Sequence, residues 1–170
     1  MSGETGLERL YDEHAQLLFG YLLNFTRSES DTRDALQDVF VKLASDPELL
    51  RTARNPRAFL IRLAHNTAVD LMRRRRARDK HLEQFETGRV SIFQKDPDPD
   101  QNAFQERLAE ALGTLPPEQR EVVHLKLWEE FTFEQIGLAL GISQNTAASR
   151  YRYGLDKLRE LLRPFYEQMK

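Results

Sequence analysis

The stretch FTFEQIGLALGISQNTAASRYRYGLDKL, residues 131–158, decides the fold of this 170-residue chain. It pairs a short apolar helix pattern with a glycine turn and a second helix that opens with small polar residues. Gly141 can adopt the positive-φ conformation that a tight turn requires, and Gly137 keeps the first helix small where the second crosses it. The spacing predicts a helix-turn-helix, whose apolar anchors are Ile136, Leu140, Ile142 and Leu155.

The second helix of this unit has the composition of a recognition helix. Ser143 is a suitable N-cap, and the first turns that follow are those that enter the major groove in such units. Gln, Asn and Arg match base edges, whereas Ser and Thr suit phosphates. A helical hairpin with a polar face is the alternative interpretation. The candidate DNA-reading residues are Ser143, Gln144, Asn145, Thr146, Ser149, Arg150 and Arg152.

The net charge of -2 hides a strong segregation of charge along the chain. Residues 51–80 carry ten basic residues against two acidic ones, and residues 143–163 carry five against two. Residues 28–50 and 83–110 are each acidic, with a balance of -4 (two bases against six acids, and three against seven). Because the local field decides where a polyanion docks, the acidic total does not argue against DNA binding.

The remaining sequence predicts an all-α chain, since no stretch alternates with period two. Three amphipathic helices are expected in the first half: one over residues 7–25, one capped by Ser28 or Ser30 and ended by Asp46-Pro47, and one starting at Pro56. A second helical block follows, broken at Pro116-Pro117. We expect two small helical domains, 1–82 and 103–170, joined by a flexible acidic linker over 83–102, because QKDPDPDQN disfavours regular structure.

Four consecutive arginines, Arg73 to Arg76, lie late on the third predicted helix. One interpretation is a solvated helix end, with cations near the C-terminal dipole and Asp70 paired to Arg73 or Arg74. The other is a phosphate-binding surface, in which each arginine adds salt-dependent affinity. Two basic faces on one tether could grip two DNA sites at once.

Composition and motifs argue against several classes of function. The chain has no cysteine, which excludes disulfides and thiolate metal sites. No glycine-rich phosphate loop or Ser-His-Asp arrangement is present, so we expect a protein that is not an enzyme and needs no cofactor. The N-terminus lacks a basic start and an apolar run, and no segment is apolar enough to span a membrane, so a cytoplasmic protein is expected. No metal-ligand spacing connects His14, His65, His81 and His124.

Four phrases, taken in order, resemble one known family. They are LYDEHAQLLFGYL at 10–22, DALQDVFVKLA at 34–44, NPRAFLIRLAHNTAVDLMRRRR at 55–76, and the block from LPPEQREVVHLKL through the helix-turn-helix to Leu162. Their order and spacing are similar to those of bacterial RNA polymerase sigma factors of the extracytoplasmic-function group. The phrase TAASR departs from the family by carrying Ala147 and Ala148 where Val and Lys are common, which removes one expected phosphate contact.

The resemblance implies roles for specific positions. The 34–44 phrase would dock on the polymerase through Asp34, Gln37, Asp38, Phe40 and Val41. The helix from Pro56 would open and hold the minus-ten element through Asn66, Asp70, Arg73, Arg74, Arg75 and Arg76. The loop from Ser45 to Asn55 would capture a flipped base. The helix-turn-helix would read the minus-thirty-five element as duplex.

The partners implied by the resemblance are core RNA polymerase, promoter DNA as duplex and as melted single strand, and an anti-sigma factor that supplies the sensory input. Two other functions stay open from the residues alone. A stand-alone helix-turn-helix regulator would dimerise through its first helices and bind palindromic duplex without polymerase. A protein-interaction adaptor would use its acidic helix and leave Arg73 to Arg76 dispensable.

Overall fold

The computed structural model describes residues 2–78 and 98–169. Within those two ranges the chain forms helices and no strand, which confirms the all-α prediction. The helices are α1 Ser2–Thr26, α2 Glu29–Ser45, α3 Glu48–Arg51, α4 Pro56–Arg78, α5 Pro99–Thr114, α6 Pro117–Leu127, α7 Phe133–Leu140 and α8 Gln144–Met169.

Side-chain caps set several helix starts. The Ser28 hydroxyl accepts a hydrogen bond from the backbone N–H of Asp31, so the first of the two predicted caps begins α2. The Asn55 side chain caps α4 in the same manner, directly before its proline. Thr132 and Gln135 form a reciprocal capping box at the start of α7. Each cap satisfies N–H groups that a helix leaves without partners, which fixes where the chain enters each helix.

The structure differs from the sequence prediction at two connections. The segment between α2 and α4, predicted as a loop, contains the short helix α3. The linker predicted over 83–102 ends earlier, because α5 begins at Pro99 with Asp98 as its N-cap. A proline in the first turn and an aspartate before it are favourable helix-start chemistry, so the same residues that suggested a linker begin a helix. The rest of that predicted linker, residues 83–97, lies outside the described residues.

Each half of the chain has apolar residues packed between its own helices. In the first half, α1, α2 and α4 bury their facing stripes, with Leu18, Val39 and Leu60 fully inside. In the second half, α5 and α8 close over a cluster formed by Ala111, Leu112, Leu115, Val123, Leu158 and Leu162.

The two halves also pack against each other, a contact that the sequence did not predict. Helix α1 contacts α6 and helix α4 contacts α7. Val122, Phe131 and Ile136 of the second half belong to the same buried cluster as Leu22 and Leu60 of the first. The physical reason is α6, in which residues 120–125 are all buried. A helix that is buried all round needs neighbours on every side, and the second half alone does not supply them.

No helix in the described ranges is long and apolar enough to cross a membrane. Among the same residues no cluster of histidine and acidic side chains could hold a metal ion.

Candidate nucleic-acid interface

The turn between α7 and α8 has the geometry that its glycines predicted. Gly141 adopts φ 69°, in the left-handed region that glycine favours. A Cβ on Gly137 would lie only 2.7 Å from the carbonyl oxygen of Ile142, so the crossing of the two helices requires a residue without a side chain there. The helix-turn-helix predicted from residues 131–158 is confirmed.

The N-terminus of α8 presents the predicted reading residues to solvent. Ser143 caps the helix by accepting the backbone N–H of Thr146 at 3.0 Å, and its hydroxyl contacts the Thr146 hydroxyl at 2.8 Å. Ser143, Gln144 and Asn145 are exposed. Thr146, also in the first turn, is half-buried, as are Ser149 and Arg150 in the next turn, and Arg152 is exposed. Exposed residues at the start of the helix, followed by a half-buried arginine on the face of Thr146, suit insertion into a groove.

The two alanines at 147 and 148 occupy different environments. Ala147 is completely buried against the shared core, so this position packs inside the protein. Ala148 is half-buried and keeps some access to solvent. The expected loss of a phosphate contact therefore applies to position 148, whereas Ala147 contributes only to packing.

The basic end of α4 carries an exposed polar stripe formed by Asn66, Asp70, Arg73, Arg74 and Arg76. Across residues 2–78 and 98–169, none of these side chains has an ion-pair or hydrogen-bond partner. The suggested pairing of Asp70 with Arg73 or Arg74 is thus not formed. Unpartnered arginines on one helix end keep their full charge available for phosphates.

Arg75 differs from its three arginine neighbours. Its guanidinium lies between the carboxylates of Asp31 and Asp34 on α2. The two acids neutralise the charge of Arg75 locally, and the pairing ties α4 to α2. Of the predicted minus-ten residues, Arg75 is therefore the one that lies apart from the exposed stripe. It forms an ion pair with Asp34, a member of the predicted docking set.

A groove with apolar walls runs between α1 and α2. Tyr11 and Phe40 meet across it, with ring centroids 5.0 Å apart, and Val41 is 57% exposed. The predicted docking residues Gln37, Phe40 and Val41 line this groove, whereas Asp34 and Asp38 do not. The groove also has lining residues outside the predicted docking set. They are Leu7, Tyr11, Phe19, Arg33, Leu36 and Ala44.

Sequence reasoning missed a buried polar cluster between the two halves. The hydroxyl of Tyr21 on α1 donates to the Glu121 carboxylate on α6 at 3.0 Å and lies 2.9 Å from Nδ1 of His65 on α4. Burial, and then the charge of Glu121, raise the pKa of the Tyr21 hydroxyl well above its ordinary value. A signal was present, since Arg120 and Glu121 directly precede the apolar pair Val122-Val123 on a short helix.

Arg120 completes the cluster from the same helix. Although only 6% exposed, its guanidinium donates to the carbonyl oxygens of Asn24 at 2.7 Å and Phe25 at 3.0 Å, in the last turn of α1. Those carbonyls have no partner within their own helix, so Arg120 caps α1 from the other half of the chain. Burial, with the nearby charge of Arg27, lowers the pKa of Arg120 to about 10.

The fold and the exposed recognition helix define a helix-turn-helix protein with a second, basic helical face. Comparison with known families gives two matches, one to each half of the chain. The family model described as Sigma-70 region 2 matches residues 10–78, and that described as Sigma-70, region 4 matches residues 111–160.

Individual relatives cover nearly the whole chain. The chain is 34% identical over 162 residues to the ECF RNA polymerase sigma factor SigL of Mycobacterium tuberculosis, covering 93% of this chain and 90% of that protein. It is 31% identical over 160 residues to the RNA polymerase sigma factor CarQ of Myxococcus xanthus, covering 94% and 90%. The structure of the sigma factor RpoE from Bartonella quintana, solved with the anti-sigma factor NepR, matches with a TM-score of 0.77 at 20% identity, over 92% of this chain and 96% of that one.

The chain belongs to the extracytoplasmic-function group of RNA polymerase sigma factors, within the sigma-70 family. It is thus a factor for promoter-specific transcription initiation, whose partners are core RNA polymerase and promoter DNA.

Proposed function

We propose that the two halves divide initiation between them. Residues 1–82 dock on core polymerase and hold the minus-ten element, and residues 103–170 read the minus-thirty-five element, with the segment from residue 83 as the connection. The exposed first turn of α8 supports this division most directly, because it presents Gln144 and Asn145 to a groove while Ser143 caps the helix. We propose Arg150, on the face of Thr146, as the residue that makes a bidentate guanine contact.

The docking surface that we propose is the groove between α1 and α2. An exposed apolar side chain such as Val41, beside half-buried Phe40, suits a large protein partner better than solvent. Arg33 and Gln37 at its rim can set orientation through polar contacts. The acids Asp34 and Asp38 act beside the groove, and Asp34 also serves as the partner of Arg75.

The minus-ten surface that we propose is the exposed stripe of α4. Arg73, Arg74 and Arg76 bring unpartnered positive charge to one helix end, as a strand separated from its complement requires. Asn66 and Asp70 lie earlier on the same helix and can bond base edges. The segment from Ser45 to Asn55, which includes α3, is proposed to receive a flipped base.

We also infer that the chain performs no chemistry of its own and lends specificity to the polymerase in the cytoplasm. Control by an anti-sigma factor is the regulation that we propose. The RpoE chain of similar fold was solved with such a partner, NepR.

Run-off transcription with bacterial core polymerase over a promoter library tests this function. We expect the chain to direct initiation at a defined pair of elements and, without polymerase, to bind promoter duplex only weakly, because one short recognition helix buries little surface. A stand-alone regulator would instead show nanomolar, sequence-specific binding in a gel-shift assay without polymerase. No promoter-dependent product with polymerase would contradict the proposal.

A further inference from the structure

The apolar packing face of α4 ends before its basic run. Ala68 is completely buried, and Leu71 and Met72 pack half-buried against the same cluster. Residues 73–78 are all exposed except Arg75, which is half-buried. At about 100° per residue, Arg75 lies within roughly 20° of the direction of Ala68 around the helix. Arg75 therefore continues the packing face of α4 past its last apolar side chain.

The side chains that receive Arg75 come from the first two turns of α2. The guanidinium contacts the carboxylates of Asp31 and Asp34, which lie one turn apart on the same side of that helix. Asp31 is the more buried of the two, with 17% of its side chain exposed against 51% for Asp34. A planar guanidinium that bonds two carboxylates fixes a direction as well as a distance. These three residues form the α2–α4 ion cluster.

The rotation of α4 about its own axis follows from the α2–α4 ion cluster. With Arg75 turned toward α2, Asn66, Asp70 and Arg73 lie roughly 140–180° away from it around the helix. All three side chains are exposed. A rotation of the last turns of α4 would therefore move Arg73 out of line with Asn66 and Asp70, which lie earlier on the exposed stripe.

The last turns of α4 have little else to hold them against α2. Residues 73–78 include five arginines, and like charges three or four positions apart weaken a helix. Within the described ranges, Arg75 is the one residue of 73–78 whose side chain has an ion-pair or hydrogen-bond partner. Earlier along α4, apolar burial holds the helix, and Lys42 of α2 donates to the Thr67 hydroxyl at 3.0 Å. The α2–α4 ion cluster thus acts where apolar packing has ended.

We propose that Asp31 and Arg75 are positioning residues for the minus-ten surface. Their contact, shared with Asp34, keeps the last two turns of α4 helical and turned so that Arg73 faces away from α2. Neither Asp31 nor Arg75 contacts DNA. The inference rests on the proposed function, because it takes the exposed stripe of α4 as the surface that holds the separated strand. An acidic side chain is thus required for binding a polyanion.

The sign of one substitution separates positioning from contact. Asp31→Asn removes a charge that holds Arg75 and leaves every arginine in place. Holoenzyme with Asp31→Asn should bind a single-stranded minus-ten oligonucleotide about fivefold or more weakly, because a loosened surface loses its fit to the ligand. Permanganate reactivity of thymines in promoter duplex should fall with it. If Arg75 contacts a phosphate instead, its release from Asp31 should strengthen oligonucleotide binding, and that result would overturn the proposal.

Glu29→Gln is the matched control. Glu29 is also an acid in the first turn of α2, but it pairs with Arg33 of its own helix at 3.7 Å. Both substitutions remove one negative charge near the same helix N-terminus, so any effect of the helix dipole is shared. Glu29→Gln should leave oligonucleotide binding within about twofold of the unchanged protein, as expected for an exposed pair. Equal losses in the two variants would overturn the proposal.

Two further measurements separate positioning from a general structural role. Asp31→Asn should bind core polymerase as the unchanged protein does, and Asp31→Glu should recover most of the oligonucleotide binding because it restores the charge. A matching loss of polymerase binding by Asp31→Asn, or no recovery by Asp31→Glu, would overturn the proposal. If unchanged holoenzyme does not bind the oligonucleotide, the proposed function fails instead.

Spin-label mobility in the free protein tests the geometry without polymerase. The chain has no cysteine, so Ala77→Cys places a single label at an exposed position in the last turns of α4. Asp31→Asn should increase the mobility of this label. A label at Arg62→Cys, exposed nearer the start of α4, should not respond, and circular dichroism confirms that each protein folds. Equal mobility at position 77 with and without the Asp31 charge would overturn the positioning role.

Discussion

The Arg75 guanidinium on α4 contacts the Asp34 carboxylate on α2, and Asp31 holds its other side. Arg75→Ala should therefore destabilise the protein by about 0.5–1 kcal/mol, the usual scale for a partly exposed ion pair. It should change the salt dependence of promoter binding little. Arg74→Ala, at an exposed position without a partner in the described chain, should leave stability unchanged and flatten the salt slope by about one unit.

Urea unfolding and holoenzyme binding at several salt concentrations measure both effects. An Arg75→Ala variant of unchanged stability with a reduced salt slope would mean that Arg75 leaves Asp31 and Asp34 for a phosphate.

Arg150→Ala should relax base preference at one minus-thirty-five position. A bidentate contact between arginine and guanine contributes about 1–3 kcal/mol of discrimination, and Arg150 lies on the face of Thr146 at the start of α8. Arg152→Ala is the variant to compare with Arg150→Ala. Arg152 is exposed, and its guanidinium carbon lies 5.5 Å from the centroid of the Tyr153 ring. Initiation by holoenzyme on single-base promoter variants separates the two. Equal weakening of all variants by Arg150→Ala would place Arg150 on the DNA backbone.

Val41→Arg should weaken binding to core polymerase by about tenfold or more, because a charge would enter the groove at its most exposed apolar residue. Asp38→Arg with Gln37→Ala is the informative comparison, since Gln37 lines the groove and Asp38 does not. Co-purification with core polymerase measures binding, and a circular-dichroism melt confirms that each variant folds. Normal binding by Val41→Arg would move the docking surface away from the groove.

The raised pKa of Tyr21 predicts a loss of stability in alkali. An unfolded tyrosine releases its proton near pH 10, whereas buried Tyr21 keeps it to higher pH. Above pH 10 the folded state thus binds more protons, and the free energy of unfolding falls by up to ~1.4 kcal/mol per pH unit. Below pH 10 this contribution is fully present.

The lowered pKa of Arg120 acts with the opposite sign above its value of about 10. The informative comparison is therefore between wild type and Tyr21→Phe, because both proteins keep Arg120. The stability of Tyr21→Phe relative to wild type should rise with pH above 10. Urea midpoints across that range measure it, and a constant difference between the two proteins would contradict a buried, protonated Tyr21.

Gly137→Ala should destabilise the helix-turn-helix by about 1–3 kcal/mol, since a Cβ there meets the backbone oxygen of Ile142 at 2.7 Å. Gly6→Ala is a matched control in α1, where nothing lies within 4 Å of the added carbon. That variant should gain about 0.5–1 kcal/mol through helix propensity. Thermal unfolding of both proteins provides the test, and equal stabilities would contradict the tight crossing.

Local sequence chemistry was sufficient for most of the fold. Glycines at 137 and 141, the serine caps and the proline breaks act within a few residues, so helix starts and the turn could be predicted from neighbours alone. Pro99 shows the limit, because proline can end one helix or begin another. The choice depended on Asp98 before it, which caps α5.

The packing of the two halves could not be predicted in this way. Arg120 and Asn24 are separated by 96 positions, and nothing in either local sequence specifies the other. The run of four arginines predicted a basic helix face, but it did not show which arginines stay exposed. Only the position of each residue around the helix and the acids on α2 distinguish Arg75 from Arg74. Long-range pairing of polar side chains is where sequence periodicity stops being informative.

The cap that Arg120 forms on the last turn of α1 also has a consequence during protein synthesis. The carbonyl oxygen of Asn24 leaves the ribosome about a hundred residues before the Arg120 side chain that will bond it. At translation rates of 5–20 residues per second, the nascent first half waits roughly 5–20 seconds with its α6-facing surface uncovered. During that interval the growing chain carries the apolar ring of Phe25 beside unpaired carbonyls, the kind of surface that ribosome-associated chaperones protect.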